Sequence, residues 1–308
     1  MPLIIPNELP AAEALQNENI FTMDQARAMT QDIRPLKIVI VNLMPTKIAT
    51  ETQLARVLAN SPLQVEMTLV QMDSHESTHI SQEHMDAFYK TLDEIKNEYF
   101  DGMILTGAPV EQMPYEQVDY WKELCEIFEF CKTHVYSNMF ICWGAQAALY
   151  YYYGIDKHLL DEKVFGVFEH KVTRAHNPLV RGFDSVFYAP HSRHTEILRE
   201  EVMEHPELRI LADSPEVGPH VISTENGRQI FILGHQEYDK ETLANEYFRD
   251  KNKGLDIKVP ANYFADDDPE KEILFRWRAH ANLLFSNWLN YYVYQVTPYD
   301  VAGMPSAK

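Results

Sequence analysis

Apolar residues in this chain come as short unbroken runs, separated by longer stretches in which apolar positions recur at helical spacing. Lys37-Ile38-Val39-Ile40-Val41-Asn42-Leu43 is the clearest run, and its β-branched core predicts a strand buried on both faces. It stops at Met44-Pro45-Thr46-Lys47, after which a short helix is expected from about Thr50 to Leu58. Further strands are expected at Gln64 to Val70, Gly102 to Gly107 and Ser137 to Cys142, with helical stretches at about 81–98 and 114–133 between them. In the second stretch Val118, Trp121, Leu124, Cys125 and Phe128 share one face at i, i+3, i+4 spacing. Strands alternating with helices make βαβ units, hence an α/β fold with a parallel sheet covered on both faces.

Past about residue 155 the rhythm shifts to shorter strands and turns, with one more buried run from Gln229 to Gly234. Ile273, Leu274, Trp277, Leu284, Phe285, Trp288 and Tyr292 line one side of an expected C-terminal amphipathic helix. Residues 1–35 combine prolines with mixed polarity and no sustained period, and read as an irregular leader. There is no internal repeat, so residues 1–308 are taken as one α/β domain with insertions.

Composition narrows the class. A chain of 308 residues that is 45% hydrophobic can bury a substantial core. No apolar run reaches about 18 residues, and the N-terminus lacks the basic region of a signal peptide. A cytosolic protein with no membrane partner is therefore expected. The net charge of −19 argues against nucleic acid as a partner. Three cysteines with no CxxC pair suggest neither a disulfide framework nor a thiolate metal site. What remains to ask is whether one of them is reactive.

Cys125 and Cys131 are spaced as helix-core residues, whereas Cys142 ends a buried strand and is followed by Trp143-Gly144-Ala145-Gln146-Ala147. Strand, nucleophile and helix in that order form an elbow that lifts a side chain to the carboxyl end of a parallel sheet. Free N–H groups at the helix start favour a thiolate there, and the amide of Trp143 could donate to an oxyanion. A thiol nucleophile needs a base, and the base an orienting partner. His235 leaves the Gln229–Gly234 run at the same rim, and Glu237 follows two residues on. Cys142, His235 and Glu237 thus form a candidate triad. His75-Glu76-Ser77-Thr78-His79 fits the H-E-x-x-H zinc pattern, but its polar surroundings read as a loop, and no metal is expected.

With these residues go several longer motifs: the opening Met1–Pro6 run, Asn42–Arg56, Leu105–Glu111 (LTGAPVE), Ala189–Glu196 (APHSRHTE) and Gly234–Asp239 (GHQEYD). Together, nearly end to end, they resemble the homoserine O-acyltransferases of the amidotransferase-like type, also called homoserine O-succinyltransferases. The resemblance implies a class I glutamine amidotransferase-like (flavodoxin-like) sheet. It also implies acyl transfer from acyl-CoA to L-homoserine in methionine biosynthesis. Cys142 would carry the acyl group, His235 would accept the proton and Glu237 would support it. Lys163, Ser192 and Arg249 would bind substrate, with Ser192 helping to select the acceptor. Arg249 could equally be a helical arginine paired with Glu246 or Asp250. Amides of Trp143 and of Gly107-Ala108 would hold the oxyanion, and Lys47 would sit near the site without a defined role. Glutamate at position 111 goes with acetyl-CoA in such proteins and glycine with succinyl-CoA, so an acetyl donor is expected, with succinyl as the alternative. CoA would be a substrate, no bound cofactor is implied, and a homodimer is what the family suggests. A glutamine amidotransferase is the more distant alternative, although those enzymes usually carry glycine where this chain has Ile141. An inactive binding relative is another, and an intact Cys-His-Glu set argues against it.

Overall fold

The computed structural model of the protein describes residues 3–18, 22–23, 34–75, 80–298, 301–304 and 306. The chain opens with β1 (Leu3–Ile4), α1 (Pro10–Asn17) and β2 (Thr22–Met23). Next come β3 (Leu36–Val41), α2 (Lys47–Ala59), β4 (Val65–Val70), α3 (Gln82–Phe88), β5 (Tyr89–Lys90) and α4 (Leu92–Ile95). The central elements are β6 (Phe100–Leu105), α5 (Trp121–His134), β7 (Val135–Ile141) and α6 (Trp143–Tyr153). The second half holds β8 (His158–Val172), β9 (Val186–Glu196), α7 (Arg199–Met203), β10 (Leu208–Ser214), β11 (Gly218–Thr224) and β12 (Gln229–Ile232). It closes with α8 (Thr242–Asn252), α9 (Arg278–Asn287) and a π-helical turn at Trp288–Tyr294.

Among the described residues the strands make one mixed sheet, in the order β2-β1-β4-β3-β6-β7-β12-β11-β10-β8-β9, with β5 attached to β4. From β2 to β12 the pairings are parallel, and from β12 to β9 they are antiparallel. The parallel expectation thus holds for the first half. The second half departs from it, and β8 and β9 are longer than the short strands expected there.

Side-chain alternation along the apolar runs explains their buried character. Ile38, Ile40, Met139, Ile141, Ile230 and Ile232 pack into the core on one face with Leu54, Leu58, Leu284 and Trp288. Val39, Val41, Phe140 and Phe231 point the other way, into a second core with Leu124, Phe128 and Trp143. A run with both faces buried has no polar positions to alternate with.

Three local expectations need correction. The described part of the supposed leader is ordered: β1 pairs in parallel with β4, and Leu3, Ile5, Leu9 and Leu15 are buried. The helix expected at 81–98 is broken, because Tyr89 turns inward to donate to Glu51 at 2.6 Å, β5 pairs with β4, and Thr91 restarts the chain with a capping box to Glu94. The C-terminal helix starts only at Arg278, so Ile273 and Leu274 precede it. Residues 24–33, and Glu76 to His79 of the H-E-x-x-H match, lie outside the described residues. No helix among the described residues is long and apolar enough to cross a membrane.

Candidate active site

Register brings the site together. Val41 pairs with Leu105, Leu105 with Phe140, and Ile141 with Ile232, so four parallel strands end on one line. Cys142 and Gly107 lie just past that line, with His235 a few residues beyond β12. Cys142 has φ 52° and ψ −118°, an uncommon conformation for a residue with a side chain, and its amide donates to Ile232 O at 2.7 Å. The sharp turn lets α6 begin at once. A Cβ on Gly144 would lie 2.3 Å from Leu105 Cδ2 and 2.5 Å from Thr106 O, so only glycine lets the helix start this close to β6. Gly107 passes directly over the thiol, since a Cβ there would be 3.2 Å from Cys142 Cβ and 3.7 Å from Sγ.

His235 is buried, with Cys142 within hydrogen-bonding reach of its imidazole and Nδ1 2.7 Å from Glu237 Oε1. Burial works against the charged imidazole, but the Cys142 thiolate and the Glu237 carboxylate outweigh it and raise the pKa well above the ordinary histidine value. The structure thus unites Cys142, His235 and Glu237 as the sequence suggests. Trp143 has its ring fully buried, and its amide, first in α6, has no intrahelical acceptor.

A cleft of about 440 Å³ opens onto the thiol, lined by Gly107, Ala108, Glu111, Lys163, Ser192 and Arg249 as well as Cys142 and His235. Glu111 accepts from Thr195 Oγ1 at 3.3 Å and from the His194 amide. Its pKa is raised, because burial outweighs those bonds and the charges of His194 and Lys163. Lys163 and Ser192 come from the antiparallel pair β8–β9, and both bond Glu246: the Lys163 ammonium directly, and Ser192 Oγ at 2.9 and 3.0 Å. Arg249 forms a two-bond pair with Asp250 at 2.6 and 2.8 Å while its side chain stays half exposed at the rim. Lys47 is not part of the lining. It is buried, donates to Asn42 O, and burial pushes its pKa down to about 8 against the opposing charge of Glu51.

Sequence reasoning missed Glu246 and Tyr238, both in the cleft wall. Glu246 stands one helical turn before Arg249 on α8, an i, i+3 spacing that would have placed both on one face. Behind His235 lie three buried histidines, His170, His191 and His220, whose ring nitrogens come within 4.8 Å of one another. Hydrogen bonds reach each of them, His220 through its Nε2, which lies 3.2 Å from Gln236 Nε2. Arg193 Nε donates to His191 Nδ1 at 3.4 Å, His191 Nε2 faces His170 Nε2 at 3.1 Å, and His170 Nδ1 donates to Phe168 O at 3.0 Å. Burial, with the Arg193 charge beside it, holds all three below the ordinary value, so they favour the neutral form as a cluster.

Fold and site together define a triad-bearing α/β protein of the class I glutamine amidotransferase-like type. A glutamine amidotransferase from Thermotoga maritima aligns with TM-score 0.54 at 11% identity, covering 83% of this chain and 98% of that one. A glutamine amidotransferase from Methylobacillus flagellatus gives 0.51 at 12%, covering 84% and 95%. Within that architecture the chain belongs to the homoserine O-succinyltransferase family, whose model matches residues 2–299. It is 60% identical over 300 residues to the homoserine O-acetyltransferase of Clostridium novyi, covering 97% of this chain and 99% of that protein. It is 59% identical over 301 residues to that of Clostridium acetobutylicum, covering 98% and 100%.

Proposed function

We propose that the protein is a homoserine O-acetyltransferase acting through an acetyl-cysteine on Cys142. The observation that carries this is one cleft lined by Cys142 and by His235, which Glu237 supports from behind, together with the charged side chains of Lys163, Glu246 and Arg249. The Cys142 thiolate attacks the thioester carbon of acetyl-CoA, forming a new C–S bond. The amides of Trp143 and of Gly107-Ala108 receive the oxyanion. The bond to CoA sulfur then breaks, and the His235 imidazolium protonates the leaving thiolate. Homoserine enters next; neutral His235 takes its hydroxyl proton while the oxygen attacks the acetyl carbon. Collapse releases O-acetylhomoserine and returns the thiolate–imidazolium pair, a two-step exchange with ping-pong kinetics.

An amino acid offers an ammonium and a carboxylate, and Glu246 and Arg249 suit them in turn. Lys163 and Ser192 hold Glu246, so the acceptor would join a carboxylate already in place. An acetyl donor is supported by the names of the clostridial relatives and by Glu111 in the cleft wall. A succinyl group brings a second carboxylate, and two like charges about 4 Å apart at an effective dielectric of about 20 repel by roughly 4 kcal/mol. The test has two arms. Incubation with acetyl-CoA alone should leave one acetyl group on the Cys142 peptide in a mass-spectrometric digest. Steady-state rates with acetyl- or succinyl-CoA and homoserine or serine should be highest for acetyl-CoA with homoserine. Acetylation at Cys125 or Cys131 would overturn the nucleophile, and faster succinyl transfer would overturn the donor.

A further inference from the structure

The ring of Tyr238 lies flat against the imidazole of His235, with centroids 4.0 Å apart and planes within 10°. Tyr238 follows Glu237 directly, so one tight turn delivers the base, its carboxylate partner and this aromatic face. The turn is anchored from below: Trp277 Nε1 donates to the Tyr238 carbonyl at 2.8 Å, and the phenol ring packs in a cluster with Tyr247 and Tyr263. Its hydroxyl takes part in no hydrogen bond among the described residues, so the packing uses the ring, and Tyr238 also lines the cleft.

Glu237 holds the imidazole within its plane through Nδ1 and leaves tilt about that bond open. A stacked ring closes that freedom. Its electron-rich face also favours a cation over a neutral ring. His235 becomes a cation when the acceptor hydroxyl is deprotonated, so the contact is stronger in that transition state than before it, which is the condition for raising kcat. The other groups facing His235 are Cys142 from the elbow, Glu237 from its own turn, and His191 and His220 from β9 and β11. The two histidines are kept neutral by burial, and Glu246 and Glu111 act further out, on the Tyr238 hydroxyl.

We propose that Tyr238 is a positioning residue for the base, its ring face fixing the plane of His235 against Cys142 and stabilising the imidazolium formed in the acceptor step. This rests on His235 being the base. The experiment compares Tyr238→Phe, Tyr238→Leu and a protein with pentafluorophenylalanine at position 238, which keeps the shape of phenylalanine and reverses the charge of its face. Acetyl transfer to homoserine is followed across pH, with His235→Asn alongside. The Phe variant should stay within about threefold of the unmodified kcat. Leu and pentafluorophenylalanine should each lose about 10- to 30-fold, with KM for homoserine little changed. The acid limb of their kcat profiles should move to lower pH, because a less stabilised imidazolium gives up its proton sooner and leaves the base neutral in the acyl-enzyme. Equal rates and limbs for the Phe and pentafluorophenylalanine proteins would overturn the proposal, and so would a Phe variant as slow as Leu. Should Leu fail to fold, the fluorinated pair still decides. Activity retained by His235→Asn would remove the base assignment itself and the proposal with it.

Discussion

At Glu111 burial and charge pull in opposite directions. The Thr195 hydroxyl has one proton to donate, and its Oγ1 lies 2.9 Å from Gln146 Oε1 and 3.3 Å from Glu111 Oε2, so Glu111 receives the weaker share. Burial then dominates and raises its pKa above the usual carboxylate range. A raised value means that Glu111 neutralises earlier as pH falls. If its charge repels a succinyl carboxylate, the preference for acetyl-CoA should narrow as pH drops through that value. The narrowing should be absent in Glu111→Gln, where nothing titrates, and Glu111→Gly should shift preference further towards succinyl-CoA by also opening space. The quantity to measure is the ratio of kcat/KM for the two donors across pH in all three proteins. A ratio that falls alike in Glu111→Gln would assign the effect to the succinyl group itself.

The elbow between β7 and α6 is the element on which the site depends. Cys142 accepts its backbone conformation because both sides hold it: its amide bonds β12, and its carbonyl receives the amides of Ala145 and Gln146 at 3.0 and 3.1 Å. Such strain costs on the order of 1–3 kcal/mol and persists only where the surroundings over-determine it. Gly144 is the point at which this can be loosened. The atoms that a Cβ would meet include the Thr106 carbonyl, which cannot swing aside as a side-chain tip would. Gly144→Ala should therefore push α6 off β6, lowering stability by about 1–3 kcal/mol. The rate of Cys142 acetylation should fall by more than that loss of folded protein explains, because the thiol moves with the helix. Urea unfolding and single-turnover acetylation on the same sample separate the two effects. Unchanged acetylation would show that the elbow tolerates a shift.

Across the whole molecule, the N-terminal segment reaches towards the catalytic turn. Glu18, just past α1, pairs with Arg56 on α2, and Arg56 also holds Asp239, two residues beyond Glu237. The ion pairs are part-exposed and worth little singly, whereas each fully buried Leu or Ile contributes about 1.5–3 kcal/mol. Deleting residues 1–18 should thus cost a large share of the roughly 5–15 kcal/mol that folds a typical domain. Urea unfolding should show a much lower midpoint or no cooperative transition, and an unchanged midpoint would mean that the segment only decorates the sheet. The sequence by itself determined the parallel half of the fold, the elbow at Cys142 and the His235–Glu237 pair. Each is written in neighbouring residues: β-branched runs, a small residue after a cysteine, and a two-residue spacing at a strand end. Only the tertiary structure decided what depends on distant pairing. The first residues lack a period because β1 and β2 are two residues long, and α1 finds its partner in α2. The 81–98 pattern looked continuous because Tyr89 reads as a helix-core residue until Glu51 is beside it. Glu246 and Tyr238 take their places only through the cleft, which is assembled from β8, β9, α8 and the turns after β3, β6, β7 and β12. Short-range pattern fixes which face of an element is apolar, and register across the sheet fixes which side chains meet at its rim.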